Sequence, residues 1–305
     1  MKRLLTLVFV AASPALIAQE VITTNLPEDP FANLEEIPVA AEYSREVDRS
    51  RGTFEISAAD GTYTPGSHFG NWMWKMEAPR WGNYYIALLY ESVRPKMGIQ
   101  IKIGDEAVKG YAPRTARDRD RDPLILGTVY IPKKGEYPVY LLSGDQSNVP
   151  AFRVEGVRFI PAPESDSIGQ SIDGTIQLEA KMATTYAEMM RYEPQPEKNC
   201  LGFWIEKEDW AEWVFDVSRP GTFDVAIHYG CGNGNEGSEV SVLINEHTLS
   251  FEVEDTGGFQ EWKKLELGQV TIDAKGENRL AVIPETLAKK AVLDIQKIVL
   301  TPVGD

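Results

Sequence analysis

The sequence has few of the residues from which catalytic and metal centres are usually built. Its 305 residues include two cysteines and three histidines, and the histidines fall in no spaced pattern. The zinc-protease, nucleophile-elbow, P-loop and dinucleotide-binding motifs are absent from it. Carboxylates are numerous, but in an acidic β-protein most of them belong to solvated strand faces and turns. We therefore expect a protein that is not an enzyme.

Long apolar runs are also lacking, except at the N-terminus. Lys2 and Arg3 precede the apolar run 4–12, and small residues follow up to Ala18. This pattern is typical of a secretory signal peptide over 1–18, and the run is too short to span a membrane. The other interpretation is an ordinary apolar strand. We expect a secreted or periplasmic protein with no membrane span.

The two cysteines leave two interpretations open. Cys200 and Cys231 both fall in the second half of the chain. They either pair in an oxidising compartment or are separate buried thiols.

Positive charge is scarce in the second half of the chain. The net charge is −15; residues 52–161 carry 14 Lys and Arg against 12 Asp and Glu, whereas residues 174–305 carry 12 against 23. Nucleic-acid binding needs clustered cations, so it is not expected. The basic cluster at 114–122 contains alternating Asp residues. It is either a solvated loop or a contact for a sulfated or uronic sugar.

The sequence contains an internal repeat. Three blocks of one half align with three blocks of the other: 74–84 with 213–223, 126–136 with 267–277, and 154–161 with 295–302. Two copies of a domain of ordinary size explain them. The predicted organisation is a leader or linker over 19–51, a first domain over 52–161, a linker over 162–174 and a second domain over 175–305.

Short strands with period-two alternation dominate both units. Phe223, Val225, Ile227 and Tyr229 alternate with more polar residues, as in a half-buried strand. Segment 181–191 is expected to be an irregular loop rather than a helix. The pattern predicts an all-β protein made of two tandem antiparallel β-sandwiches.

Aromatic residues are concentrated just before one strand of the second unit. Trp213 matches Trp74 of the first unit, so both are assigned to the core. Trp210 lies three residues from Trp213 and cannot share its strand face. Phe203 and Trp204 precede the strand in a loop. They either display their rings to a ligand or cover the edge of the sandwich.

The run 202–225, followed by 256–262 and 292–298, resembles the family-6 and family-35 carbohydrate-binding modules. The segment Leu178-Glu179-Ala180 is similar to their first strand, and the resemblance extends over 176–303. It implies a jelly-roll, galactose-binding-like sandwich. The first unit keeps the residues of the sandwich frame and loses most of the motif residues. The frame residues are Trp74, Gly82, Tyr84, Leu126, Gly135 and Val157.

The resemblance also implies candidate sugar-binding residues. The loop aromatic of the family's site falls on Phe203, with Trp204 beside it, and the second stacking ring falls on Phe259. The family's polar ligand, commonly Asn, falls at about Val292, so either another polar residue replaces it or the sugar binds elsewhere. The candidates to replace it are Asp209, Asn233 and Asn235.

A structural calcium ion is the cofactor that the resemblance implies. Its ligands would be Glu179 in the first strand and Asp294 in the last, since oxygen ligands suit Ca²⁺. The aligned residues of the first unit are Ser57 and Arg153, so no equivalent ion is expected there.

We therefore expect a secreted, non-catalytic protein that binds a polysaccharide or other glycan through loop aromatics of the second sandwich. One alternative is a structural or adhesion module that contacts another secreted protein through Trp72, Trp81 and Tyr84 of the first unit. A less favoured alternative is a polysaccharide-active enzyme.

Overall fold

The protein consists of β-strands, turns and loops. The computed structural model describes residues 43–66, 71–115, 123–143, 148–149, 152–165, 168–232 and 234–304, and no α-helix occurs among them. No helix in these ranges has the length and apolar character needed to cross a bilayer. The predicted signal peptide, 1–18, and the first part of the predicted leader lie outside the described residues.

Each half of the chain contains a set of mostly antiparallel strands. The strands of the first half are β1 (Phe54–Ser57), β2 (Thr62–Tyr63), β3 (Trp72–Ala78), β4 (Gly82–Ser92), β5 (Lys96–Ile103), β6 (Glu106–Pro113), β7 (Leu124–Ile131), β8 (Gly135–Ser143), β9 (Asn148–Val149) and β10 (Phe152–Ala162). Those of the second half are β11 (Ile168–Gly169), β12 (Ile176–Glu179), β13 (Thr184–Tyr186), β14 (Arg191–Glu193), β15 (Cys200–Gly202), β16 (Trp210–Val217), β17 (Gly221–Cys231), β18 (Glu239–Ile244), β19 (His247–Glu252), β20 (Gly258–Ile272), β21 (Gly276–Pro284) and β22 (Asp294–Pro302).

The two halves share one sheet topology. The first sandwich has sheets in the orders β1-β10-β4-β7 and β2-β3-β8-β5-β6. The second has β14-β15-β22-β17-β20, with β12 on β22, and β11-β16-β21-β18-β19. Strands β12, β22, β17 and β20 thus repeat the order of β1, β10, β4 and β7, and β16-β21-β18-β19 repeats β3-β8-β5-β6. Except for the parallel pair β11–β16, the pairing given for these strands is antiparallel, so the predicted fold of two tandem sandwiches is confirmed.

Alternation along the strands places each core between its two sheets. In β3, Trp72, Trp74 and Met76 are buried while Met73 and Lys75 are exposed. Successive side chains of a strand point to opposite faces, so one face lines the core and the other faces outward.

The same tryptophan hydrogen bond occurs at equivalent positions of the two sandwiches. The Trp74 indole N–H donates to the Ser57 carbonyl at 2.8 Å, and the Trp213 indole N–H donates to the Glu179 carbonyl at 2.8 Å. Ser57 and Glu179 each precede a single 3-10 turn, over 58–60 and 180–182. Both tryptophans are buried, which confirms their assignment to the core.

The end of the predicted leader is packed against the second sandwich. Residues 43–51, here called the N-terminal strap, cross the outer face of β16. Tyr43 donates a 2.9 Å hydrogen bond to the buried Glu212 carboxylate, and Arg49 binds the same oxygen at 2.8 Å. The Trp210 indole N–H donates to the Asp48 carbonyl. The strap therefore covers Trp210, and the sequence pattern did not predict this.

The two sandwiches meet at an irregular segment. Residues 181–191 contain the end of a 3-10 turn and the short strand β13 but no helix, as expected. The buried Arg80 guanidinium donates to the carbonyl of Thr185 at 2.9 Å and to that of Ala187 at 3.2 Å. The Trp81 indole N–H donates to the Tyr192 carbonyl at 3.1 Å.

The three rings of the first unit that were the alternative candidates for contacting another protein do not form a common surface. Trp72 and Tyr84 are buried in the core of the first sandwich, and Trp81 contacts the second sandwich. These rings are therefore not displayed together to an external protein. The two cysteines are separate buried thiols with no disulfide between them.

We expect Tyr43→Phe to lower the free energy of unfolding by about 2 kcal/mol, because it removes a hydrogen bond to a buried carboxylate. Urea unfolding followed by tryptophan fluorescence measures the change. Tyr111→Phe is the matched control, since Tyr111 is 62% exposed. Equal stability of the two variants would contradict a structural role for the strap.

Candidate functional site

Two of the predicted sugar-binding rings line one open cavity at an end of the second sandwich. The cavity has a volume of about 320 Å³. Its lining residues are Glu193, Lys198, Phe203, Trp204, Ile205, Phe259, Gln260, Ala291 and Asp294. They lie at the ends of β14, β15, β20 and β22 or in the adjoining loops. We call it the Phe203–Phe259 cavity.

Phe203 is held in an unusual backbone conformation that presents its ring outward. Its φ is +59°, in the left-handed region that non-glycine residues seldom occupy. The Ile205 N–H donates to the Phe203 carbonyl at 3.0 Å, which closes a tight turn after β15. Phe203 is 45% exposed, and Ile205 beside it is also exposed. Strained positions of this kind cluster at functional sites.

A buried arginine supports one face of the Phe203 ring. The Arg191 guanidinium carbon lies 3.7 Å from the centroid of Phe203 and 3.6 Å from that of Trp81, which belongs to the first sandwich. Its Nη1 donates to the Met189 carbonyl at 2.9 Å. Burial lowers the pKa of Arg191 to about 10, so it stays charged at neutral pH. Through Arg191, the first sandwich helps to position the ring of the second.

Two carboxylates converge on the polar side of the cavity. A Cβ at Gly202 would lie 2.6 Å from Glu193 Oε2 and 3.3 Å from Asp294 Oδ1, so a larger residue there would displace the Glu193 carboxylate. Lys198 Nζ lies 3.0 Å from both oxygens of Glu193. The Gln260 amide donates to Asp294 Oδ2 at 3.0 Å. The cavity thus combines two rings with a carboxylate–ammonium pair, an amide and a second carboxylate.

Burial changes the acid–base behaviour of the cavity. It raises the pKa of the Asp294 carboxyl to about 7, and repulsion from Glu193 adds to the rise. Burial also raises the pKa of the Cys200 thiol, whose Sγ lies 3.6 Å from Asp294 Oδ2. The thiol is therefore protonated at neutral pH, and Asp294 titrates there.

Trp204 and Asp209, two of the predicted sugar-binding residues, are buried in structural roles. Trp204 is 1% exposed and belongs to the core, so it reaches only the floor of the cavity. Asp209 is buried and accepts hydrogen bonds from the backbone N–H groups of 188, 189 and 190. Arg51 of the strap also binds it, at 2.8 Å. Asp209 therefore organises the backbone, and its oxygens are already occupied.

Asn235 also has a structural role. Its amide donates to the Gly232 carbonyl at 2.8 Å, and its oxygen accepts from the backbone N–H groups of Lys290 and Ala291 at 3.2 Å. Asn235 thereby holds the loop in which Ala291 lines the cavity. Asn233 lies outside the described residues.

The predicted calcium ligands are not brought together. Glu179 pairs with Lys297 across β12 and β22, and its carboxylate binds Lys181 at 2.8 Å. Asp294 lies three residues before Lys297 on β22, about 10 Å along the strand, and binds Cys200 and Gln260 instead. The assigned ligand pair is therefore wrong, and Ca²⁺ binding by the second sandwich stays a prediction without assigned ligands.

One other group of metal-type ligands occurs in the described part of the chain. Single ligand atoms of Glu193, Cys200 and Asp294 lie within 4.8 Å of one another. A protonated thiol is a poor partner for a hard cation such as Ca²⁺, and Lys198 already supplies positive charge to Glu193. The group therefore does not fit the expected calcium ion.

Sequence reasoning missed the polar wall formed by Glu193, Lys198 and Gln260. Gln260 directly follows the predicted ring Phe259, and this adjacency is the one feature of the sequence that could have placed a residue of the polar wall in the site. Glu193 and Lys198 lie about 100 residues from Asp294 in sequence, and only the pairing of β14, β15 and β22 brings them together.

Because the pKa of Asp294 is raised from 3.8 to about 7, ionising this carboxyl in the folded protein at pH 8 costs up to about 4 kcal/mol. We expect Asp294→Asn, which cannot ionise, to stabilise the protein at pH 8 by up to that amount. The stability that a protonated Asp294 gives the wild type is fully present below pH 3.8 and is lost as the pH rises through about 7. Urea unfolding at pH 4, 6 and 8 measures the difference. The exposed Asp216→Asn serves as control, and parallel pH profiles for wild type and Asp294→Asn would contradict the assignment.

Solved structures of similar proteins exist, whereas no family model and no curated protein matches this chain. The C-terminal CBM6 of LamC, a marine laminarinase from Zobellia galactanivorans, is 18% identical; the match covers 42% of this chain and 98% of that one, with a TM-score of 0.33. A family-35 carbohydrate-binding module from Clostridium thermocellum is 13% identical, with coverages of 42% and 98% and a TM-score of 0.36. The CBM35 of Cellvibrio japonicus Abf62 is 16% identical, with coverages of 43% and 93% and a TM-score of 0.32. The chain is thus similar to members of both families that its sequence resembles.

Proposed function

We propose that this protein is a secreted or periplasmic, non-catalytic carbohydrate-binding protein whose binding site is the Phe203–Phe259 cavity. The observation that carries the proposal is the convergence of two aromatic rings and four hydrogen-bonding side chains on one open cavity of the second sandwich. The N-terminal pattern over 1–18 supports export.

The cavity offers the two kinds of contact that a sugar needs. Sugar rings have apolar C–H faces that pack on aromatic side chains, and hydroxyls that bond to polar groups around them. One face of Phe203 is occupied by Arg191, so the ligand meets the other face or the edge of the ring. Glu193, Lys198, Gln260 and Asp294 supply acceptors and donors for hydroxyls.

The charges in the cavity favour a neutral sugar. The positive charge of Lys198 compensates the negative charge of Glu193. The other ionisable group on the polar side of the cavity is the Asp294 carboxyl. An anionic sugar would place its carboxylate beside the Asp294 carboxyl, which repels it once it is ionised. We therefore propose a neutral poly- or oligosaccharide as the ligand.

The arrangement does not resemble that of a glycosidase. Acid and base carboxylates flank the scissile bond, at least about 5 Å apart. Here Glu193 and Asp294 converge on one side of the cavity, at Gly202, with Lys198 and Gln260 bound to them. This supports binding without catalysis.

We expect Phe203→Ala and Phe259→Ala each to weaken binding of a neutral polysaccharide by roughly tenfold, since loss of about 1.5 kcal/mol of ring contact has that effect. Affinity electrophoresis in gels containing β-glucan, mannan or xylan measures the change. Tyr111→Ala, an exposed ring on the first sandwich, is the matched control.

Unchanged retardation of both phenylalanine variants would remove these rings from the site. Release of reducing sugar from the same polysaccharides, abolished by Glu193→Gln or Asp294→Asn, would establish an enzyme instead.

We further expect Trp81→Ala to weaken binding at this cavity severalfold although Trp81 belongs to the other sandwich. Without the indole, the Arg191 guanidinium loses one of the two rings that hold it, and Phe203 loses its fixed support. Trp81→Phe should restore the affinity, because a ring again covers Arg191. Isothermal titration with the best polysaccharide fragment tests this. A Trp81→Ala variant with wild-type affinity would show that the support does not matter for binding.

A further inference from the structure

A second cavity lies between the two sandwiches and belongs to neither of them alone. Both sandwiches belong to one compact unit. The cavity, here called the inter-sandwich cleft, has a volume of about 610 Å³. Tyr85 and Thr128 line it from the first sandwich, Glu164 and Ser165 from the linker, and Thr184 from the second sandwich. Its size lies in the range of ligand-binding clefts.

Hydrogen bonds across the junction fix the walls of the cleft. Arg80 of the first sandwich donates to the carbonyl and hydroxyl oxygens of Thr185, at 2.9 and 3.0 Å. The Glu164 N–H donates to the Lys181 carbonyl at 2.9 Å, and the Asn83 amide donates to the Pro163 carbonyl at 3.0 Å. The linker is thus bound to both sandwiches, so the cleft is preformed.

The cleft contains a carboxylate with spare hydrogen-bonding capacity. Glu164 Oε1 accepts from the Asn83 backbone N–H at 3.2 Å, and no donor to Oε2 is found in the described part of the chain. Burial raises the pKa of the Glu164 carboxyl. A partly desolvated carboxylate of this kind gains from new hydrogen-bond donors.

Four residues with hydroxyl groups line the same cleft as Glu164. Tyr85, Thr128, Ser165 and Thr184 all line the cleft, and none of their hydroxyls bonds to another residue within the described ranges. The hydroxyl oxygens of Tyr85, Ser165 and Thr184 are not sealed from solvent, and Thr128 is an exposed residue. Each hydroxyl can both donate and accept, which suits a ligand that itself carries hydroxyls.

We propose that the inter-sandwich cleft is a second binding site, for a neutral, hydroxyl-rich ligand of the oligosaccharide class. Glu164 is the charged residue among those lining it, so anionic sugars are disfavoured. Met182, Pro163 and Val214 supply apolar surface for the C–H faces of the ligand. The proposal does not rest on the Phe203–Phe259 cavity and stands if that cavity binds nothing.

The test uses the full chain with Phe203 and Phe259 both replaced by Ala. Isothermal titration with neutral hexasaccharides of β-1,4-glucose, β-1,3-glucose, β-1,4-mannose and β-1,4-xylose is expected to show one remaining site per chain for at least one of them. Trigalacturonic acid is the anionic comparator and is expected not to bind.

Added to this double variant, Glu164→Gln should weaken the remaining site at least tenfold, and Thr184→Val, which keeps the side-chain shape, should weaken it severalfold. Glu106→Gln, an exposed carboxylate on the first sandwich, is the control and should leave the affinity unchanged. Near-ultraviolet circular dichroism verifies that each variant is folded.

The cleft proposal is overturned if the double variant binds no hexasaccharide, or if its remaining binding is unaffected by both cleft variants. Failure of the Phe203–Phe259 site has a different signature: the double variant then binds as tightly as wild type, and Glu164→Gln alone abolishes binding.

Discussion

The arrangement of the whole molecule depends on satisfying the backbone of one buried, irregular segment. Residues 183–192 run between the two sandwiches, where buried N–H and C=O groups need partners. Asp209 accepts three consecutive N–H groups of this segment, and Arg80 donates to two of its carbonyls. Arg191 and Trp81 donate to two more. Side chains thus supplement the short ladders that β13 and β14 form with β16 and β15.

The two copies of the domain use one repeated arginine differently at this junction. Arg80 and Arg219 occupy equivalent positions, before the glycine that opens β4 or β17. Arg80 binds the irregular segment of the second sandwich, whereas Arg219 donates to the carbonyls of Ser171 and Ile172 in the linker. The same residue therefore joins the sandwiches in one copy and anchors the connection between them in the other.

The same constraint couples the junction to the candidate site. Arg191 is held by the Met189 carbonyl and by the Trp81 ring, and its guanidinium in turn supports Phe203. The first sandwich keeps the frame without the motif residues, yet it contributes to the position of the ring that the second sandwich displays. A spacer that only separated two sites would not need this contact.

Part of the candidate site could be predicted from sequence. Phe203 and Phe259 were predicted as sugar-stacking rings, and both line one cavity, where Asp294, predicted as a calcium ligand, also lies. Trp204, Asp209 and Asn235 were also singled out, but they are buried in structural roles. Phe203 and Trp204 are adjacent and chemically alike, and only the left-handed backbone at Phe203 decides which ring faces outward. No sequence pattern encodes that choice.

The sequence by itself determined the duplication, the all-β class and the core placement of Trp74 and Trp213, because strand alternation and repeated tryptophans are local properties of the chain. Only the tertiary structure decided that the strap covers β16, that Glu193 and Lys198 meet Asp294, and that a cleft forms between the sandwiches. Such contacts join residues about 100 or more positions apart, and they follow from how the sheets pair and pack rather than from any local pattern.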